Sequence, residues 1–98
     1  MTRSEIEWTE QATRQLDQAH DYIALSNSED VAFRITTLIV TTIQQLTAFP
    51  TSGRAGRVPG THELVISNTP FIAGYAVDHG RIVILSIYHG AQQWPEAF

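Results

Sequence analysis

Four histidines and six arginines are the side chains of this sequence best suited to acid–base chemistry and to holding phosphate. Cleavage of RNA needs a base for the 2′-hydroxyl, an acid for the 5′-oxygen and cations for the developing charge. Histidine titrates near neutral pH and can serve as either acid or base. His62 opens one predicted strand and His89 ends another, so both could reach one face of a sheet. Arg54 and Arg57 lie in the loop before His62, which completes a workable catalytic set.

Each of these side chains also has a purely structural interpretation. His89 precedes Gly90 and could cap the end of its strand by hydrogen bonding, and His62 could be a solvent-exposed substitution. Arg57 could contact a phosphate or an acidic partner, or it could tie its own loop to the surface. Three aromatic side chains could contact a ligand, namely Tyr75, Tyr88 and Trp94. The spacing of the tyrosines favours core positions, and Trp94 is better suited to anchoring the edge of the core.

Composition excludes several classes of site. The sequence has no cysteine, its histidines lack close ligand spacing, and it contains neither a P-loop nor a dinucleotide-binding fingerprint. We therefore expect no metal and no cofactor. No apolar stretch approaches the roughly 18 residues that span a bilayer, and no signal peptide is recognisable. These features favour a cytoplasmic protein that does not associate with membranes.

The charge of the chain is unevenly distributed. The net charge is −4, and residues 1–50 carry all of it, with three arginines against seven acidic residues. Residues 51–98 have three arginines and three acidic residues and are neutral overall. Whole-molecule attraction to nucleic acid is therefore weak, although a local basic patch around Arg54 and Arg57 is possible. The acidic residues near the first helix form either a solvated face or a docking surface for a basic partner.

The first half of the chain predicts a short strand and a helical hairpin. A strand over Ser4–Trp8 is followed by a helix from Glu10 to Ser26 with Thr9 as its N-cap. Ser28 caps a second helix that ends near Phe49, because Pro50 disfavours helix at the preceding residue. The predicted apolar stripes are Ala12, Leu16, Ala19 and Ile23 in the first helix, and Val31, Ile35, Leu38, Thr42 and Leu46 in the second.

The second half predicts an ordered loop over Thr51–Gly60 and then three strands. These cover His62–Ser67, Pro70–Val77 and Arg81–Tyr88, and the last lies inside the sheet because it is the most continuously apolar. With 98 residues, the chain forms one domain spanning 1–98. The element order is β-α-α-β-β-β, an α+β fold with a helical hairpin on one face of a mostly antiparallel sheet.

Three segments carry a resemblance to a known family. Gly53 to Ile66 reads GRAGRVPGTHELVI, Pro70 to Val77 reads PFIAGYAV, and Tyr88 to Pro95 reads YHGAQQWP. Together with the helical hairpin, these resemble the toxins of the RelE/ParE superfamily, and more closely its ParE branch. The resemblance implies a small cytoplasmic toxin that is neutralised by an antitoxin encoded beside it. ParE-like members poison DNA gyrase, whereas RelE-like members cut messenger RNA on the ribosome.

The chain departs from this family pattern at three positions. Arginine is usual in the family where His62, Ala76 and Gln92 stand here. Their loss implies either a weakened toxin or a detoxifying alanine at residue 76. The resemblance therefore leaves three functions open: a gyrase inhibitor, which we favour because the chain is not basic, a ribosome-dependent endoribonuclease, and an antitoxin-binding module without toxicity. In each case a disordered C-terminal segment of the antitoxin is expected to fold onto the toxin and form a hetero-oligomer. The residues expected to contact the target or the partner are Arg54, Arg57, Tyr75, Ala76, Gln92 and Trp94.

Overall fold

Two helices and a five-stranded sheet make up residues 5–90, the part of the chain that the computed structural model describes. In chain order these are β1 (Glu5–Trp8), α1 (Glu10–Ser26), α2 (Glu29–Gln44), a 3₁₀ turn (Gln45–Thr47), β2 (Arg54–Ala55), β3 (Thr61–Val65), β4 (Phe71–Asp78) and β5 (Arg81–His89). The helical hairpin packs on one face of the sheet. This is the predicted α+β fold, with one additional strand, β2, inside the segment predicted to be a loop.

Side-chain caps begin both helices at the predicted residues. The Thr9 hydroxyl accepts a hydrogen bond from the Ala12 amide at 3.1 Å, and the Ser28 hydroxyl accepts one from the Val31 amide at 3.1 Å. Each cap satisfies one of the amides that the first helical turn leaves without a partner. The predicted end of the second helix near Phe49 is wrong, because regular α-helix stops at Gln44 and tightens into the 3₁₀ turn.

The strands lie in the order β1-β5-β4-β3-β2. All neighbouring pairs are antiparallel except β1 and β5, which run parallel. Strand β5 has a neighbour on each side, as its continuous apolar sequence predicts. It joins β4 through a two-residue turn, His79-Gly80, in which both residues have positive φ. Two successive residues of that kind are typical of the type I′ hairpin turn, whose twist matches that of the strands.

The core lies between the helical hairpin and the sheet. In α1 the predicted stripe is confirmed. Ala12 and Ile23 are buried, and the other two stripe residues, Leu16 and Ala19, are partly buried. In α2 the predicted stripe is displaced by one position at most places. The buried residues of this segment are Ala32, Ile39, Ile43 and Leu46, whereas Val31, Ile35, Leu38 and Thr42 are only partly buried. Neither described helix is long and apolar enough to cross a membrane.

Candidate functional site

A concave pocket lies on the face of the sheet that the helices do not cover. Along β4, Phe71, Ala73 and Tyr75 point into the core, so the alternating Ile72 and Ala76 point to the other side. There Ile72 pairs with Tyr88 of β5 and lines a pocket of ≈ 300 Å³. Its other lining residues come from β2, the turn that follows it, β3 and the end of β5, namely Arg54, Ala55, Gly56, Arg57, Glu63 and Gly90.

Glu63 is the buried charge at the centre of this pocket. It is only 8% exposed, and its carboxylate accepts a hydrogen bond from Arg54 Nε at 2.8 Å. Strand pairing produces this contact, because Arg54 lies opposite Glu63 in the β2–β3 ladder. A carboxylate buried without a cation would be strongly destabilising, so Arg54 is held in place by the requirement to compensate it.

Tyr88 is the second buried polar residue of the pocket. Burial is the largest cause of a raised pKa of the Tyr88 hydroxyl, and the negative charge of Glu63 raises that pKa further. The positive charges of Arg54 and Arg57 partly oppose this rise. A hydrogen bond to Glu63 also favours the protonated phenol. Tyr88 therefore keeps its proton at neutral pH. A protonated phenol cannot act as a base at that pH.

Arg57 differs from Arg54 in its surroundings. It is exposed in the turn between β2 and β3, and within residues 5–90 no acidic side chain lies close enough to pair with it. The turn that carries it is held by a backbone hydrogen bond from the Gly56 amide to the Thr61 carbonyl at 2.8 Å. The pocket thus has one neutralised arginine and one available arginine, which is the basic patch predicted from the sequence.

Tyr75, which the sequence predicts as a contact to a target or partner, occupies a structural position in the described fold. Its side chain is fully buried on the helix-facing side of the sheet. Its hydroxyl donates to the Pro50 carbonyl at 2.9 Å and accepts from the Gly53 amide at 3.0 Å. Tyr75 therefore fastens the start of the loop that carries Arg54 and Arg57, and it is not available to stack on a base.

The two histidines do not form a catalytic set with these arginines. His62 pairs with Tyr75 and stacks on its ring at a centroid distance of 5.2 Å, on the face opposite the pocket. His89 pairs with Phe71 and contacts its ring edge-to-face at 5.8 Å. Tyr75 and Phe71 are four residues apart on β4, which separates the two histidines by about 13 Å along the strand direction. Acid and base cannot act on one phosphate from that separation.

Of the remaining predicted contacts, Ala76 lies within the part of the chain that the structure describes, whereas the other two do not. Ala76 lies on the pocket face, opposite Thr61 of β3 and Val83 of β5, so an arginine here would add a cation to that face. Its placement opposite to Tyr75 agrees with the predicted strand alternation. Gln92 and Trp94 lie outside the described residues.

A larger groove of ≈ 730 Å³ lies on the other face, between α1 and the ends of β4 and β5. Its walls are largely apolar and include Tyr22, Ile23, Ile35, Phe71 and Ile87, with His89 at the sheet end. Close to it, the turn of the helical hairpin exposes large apolar side chains: Tyr22 is 71% exposed, Leu25 90% and Phe33 69%. The two faces of the molecule therefore differ, since one is apolar and acidic and the other has a small basic pocket.

Sequence reasoning missed Glu63, the residue around which the pocket is organised. In the sequence it is one polar residue in an alternating strand, and nothing local shows that its neighbour across the sheet is an arginine. The available signal was the short spacing from Arg54 through a glycine- and proline-containing turn, which permits a tight antiparallel return. Among residues 5–90, no group of three or more histidine and acidic side chains is placed to hold a metal ion.

Comparisons with known proteins agree with this fold. A family model described as the ParE toxin of the type II toxin–antitoxin system parDE matches residues 6–94. The chain is 38% identical over 96 residues to Y4kP of Sinorhizobium fredii, a protein provisionally described as a toxin, and the match covers 98% of each chain.

Two solved structures are similar as well. One is a chain of the chromosomal ParDE toxin–antitoxin system from P. aeruginosa, with 28% identity and a TM-score of 0.82, covering 89% of this chain and 96% of that one. The other is a chain of the toxin–antitoxin complex RelBE2 from Mycobacterium tuberculosis, with 22% identity and a TM-score of 0.64, covering 89% and 98%. The second likeness concerns the fold alone.

Proposed function

This chain belongs to the ParE toxin family of type II toxin–antitoxin systems, and we propose that in its free form it inhibits DNA gyrase in the cytoplasm and that a cognate antitoxin neutralises it. The choice of gyrase over RNA is carried by one observation. Among the described residues, the exposed face of the sheet presents cations and a buried hydrogen-bonded pair, but no group suited to transferring protons at neutral pH.

The chemistry of RNA cleavage is poorly supported by the same residues. The Glu63 carboxylate is almost fully buried and paired with Arg54 at 2.8 Å, so it is poorly placed to take a proton from a substrate hydroxyl. The raised pKa of Tyr88, caused first by burial, makes that hydroxyl a poor proton donor to a leaving group as well. The histidines lie on the other face. With a net charge of −4, the chain also lacks the broad positive field that would attract a ribosome or an RNA ligand. A role in binding a protein target needs none of these groups to titrate.

The proposed antitoxin site is the groove between α1 and the sheet ends. Its apolar walls and the exposed Tyr22, Leu25 and Phe33 offer surface that a folding peptide could bury. Acidic residues at or near these helices, among them Asp17, Asp21 and Glu29, are exposed and favour a segment with some basic residues. Ordering a disordered segment opposes binding, so apolar contacts must supply most of the affinity.

The target is tested by comparing two assays on one purified preparation. The protein should inhibit gyrase supercoiling or trap cleaved DNA, and adding the antitoxin should restore supercoiling. The same preparation should leave ribosome-bound messenger RNA intact in a translating extract. Codon-specific cuts in that extract with gyrase unaffected would replace our proposal by the endoribonuclease. Binding of the antitoxin without either activity would identify an antitoxin-binding module.

The antitoxin is tested by titrating the C-terminal peptide of the neighbouring gene product over a salt series. We expect tight binding with only a modest loss as salt rises, since screening affects the charged contacts and leaves the apolar ones. Complete loss of binding at moderate salt would show that charge dominates the interaction. Failure to bind the product of any neighbouring gene would contradict the proposed partner.

A further inference from the structure

The two arginines of the concave pocket are arranged as a fixed cation beside a free one. The ion pair between Arg54 and Glu63 uses Nε, and the Arg54 side chain is still 61% exposed. The outer N–H groups of its guanidinium can therefore donate to a ligand, because a guanidinium carries five donors in a rigid fork. Arg57 lines the same pocket from the turn that follows β2.

Two apolar side chains lie beside these cations on the same face of the sheet. Ile72 lines the pocket, and Val65 lies opposite Ile72 in the β3–β4 ladder on the same face. Val65 is 48% exposed, which leaves an apolar surface that a partner can cover. This face of the sheet therefore presents two cations beside a small apolar surface.

We propose that this pocket binds one carboxylate side chain of a protein partner, which under the proposed function is gyrase. The carboxylate lies between Arg57 and the outer edge of Arg54, and an adjacent apolar side chain of the partner rests on Ile72 and Val65. Charge decides between a carboxylate and a nucleic acid. Two arginines and Glu63 leave the pocket at +1, and among the described residues no other charged side chain lines it. That charge matches one carboxylate and falls short of a run of phosphates.

Glu63 acts in this account as a positioning residue. It touches no ligand, because Arg54 pairs with its carboxylate and it is almost fully buried. Its effect is to fix the Arg54 guanidinium so that the entropy of ordering that long side chain is lost on folding and not on binding. Bidentate contact with a carboxylate depends on such fixed geometry.

The first experiment follows the arginine Nε–Hε signals by NMR while a capped tripeptide is added to the full-length protein. The probes are acetyl-Val-Glu-Val-amide and its neutral match, acetyl-Val-Gln-Val-amide. We expect the signals of Arg54 and Arg57 to move with the glutamate peptide only. Arg57→Ala should weaken that binding by about ten- to a hundredfold, the effect of one charge-assisted hydrogen-bonding group. Arg34→Ala removes the same charge from exposed α2 and should change nothing.

Glu63→Gln tests the positioning role separately. We expect the Arg54 signal to shift in the free protein and the peptide affinity to fall severalfold, while the Arg57 response to peptide persists. Thermal unfolding of the variant establishes whether the fold is kept. Arg57→Ala, at an exposed position, remains informative if Glu63→Gln unfolds. Unchanged peptide affinity in a folded Glu63→Gln protein would refute the positioning role.

Several results would overturn the carboxylate site. These are equal responses to the two peptides, no effect of Arg57→Ala, or a short DNA duplex that moves the same arginine signals at lower concentration than the glutamate peptide. The inference rests on the proposed function only in naming gyrase as the protein that carries the carboxylate. Wild-type protein that fails to inhibit gyrase would remove the proposed function and leave the peptide result readable. Full inhibition by Arg57→Ala would show that gyrase does not use this pocket and refute that part of the inference.

Discussion

Replacing Tyr75 by phenylalanine removes the oxygen that fastens the loop bearing both pocket arginines. That oxygen makes two hydrogen bonds, to the Pro50 carbonyl at 2.9 Å and from the Gly53 amide at 3.0 Å. The ring itself is fully buried and phenylalanine fills the same space. Each hydrogen bond contributes about 0.5–1.5 kcal/mol net, so the substitution should lower the free energy of unfolding by about 1–3 kcal/mol. For a domain of this size, each kcal/mol lowers Tm by about 4–8 °C.

The measurement is urea unfolding followed by circular dichroism, with Tyr22→Phe as the matched control. Tyr22 loses the same atom, but it is 71% exposed, so its variant should stay within about 0.5 kcal/mol of the wild type. Because the loop carries Arg54 and Arg57, Tyr75→Phe should also weaken binding at the pocket under conditions where the protein is still folded. Equal midpoints for the two variants would refute the idea that this hydroxyl anchors the loop.

Three further predictions concern the core, the pH dependence and the family's missing cation. Ile39→Ala should lower the free energy of unfolding by about 2–5 kcal/mol in a urea titration. Leu38→Ala should lower it by clearly less, because Ile39 is fully buried and Leu38 is not. Equal losses would contradict the assignment of the α2 stripe. Burial raises the pKa of Tyr75 and Tyr88 above the ordinary value of 10.0, so the folded state holds these two protons more tightly than the unfolded chain does. The stability that these protonated hydroxyls contribute is therefore complete below pH 10 and is lost as the pH rises above it. Tyr88→Phe should flatten the alkaline fall in unfolding free energy, and an unchanged slope would contradict this. Ala76→Arg should increase growth inhibition at matched protein levels, because residue 76 lies on the pocket face; equal growth of both strains would show that the position is irrelevant.

The helical hairpin could be predicted because its signals are local. Thr9 and Ser28 precede their helices by one residue and bond to amides three residues on, so adjacent letters of the sequence contain the whole interaction. The exact stripe of α2 could not be predicted in the same way. Apolar residues occupy most positions from Val31 to Ile43, so two neighbouring stripes fit the periodicity equally, and only packing against α1 and the sheet selects one.

The pocket could be predicted in part only, because it depends on which residues face each other across strands. Arg54 and Arg57 were identifiable from their loop, whereas their partner Glu63 was not. The predicted set of His62 and His89 with the two arginines depends on the same register, which places both histidines on the helix-facing side of the sheet and the arginines on the other. A register shift between β4 and β5 beside Gly74 and Tyr75 adds an irregularity that alternation alone does not reveal.

The parallel pairing of β1 with β5 has a consequence for the order in which the molecule is made. Glu5 lies beside Arg81, and the Thr9 hydroxyl donates to the Leu85 carbonyl, a contact between residues 76 apart in sequence. A ribosome makes β1 first, and β1 must wait for almost the whole described chain before β5 emerges to receive it. Contacts this distant in sequence close slowly, because the loop between them must first lose its conformational freedom. The sheet thus lacks the pairing of β1 with β5 until nearly the whole described chain has been made.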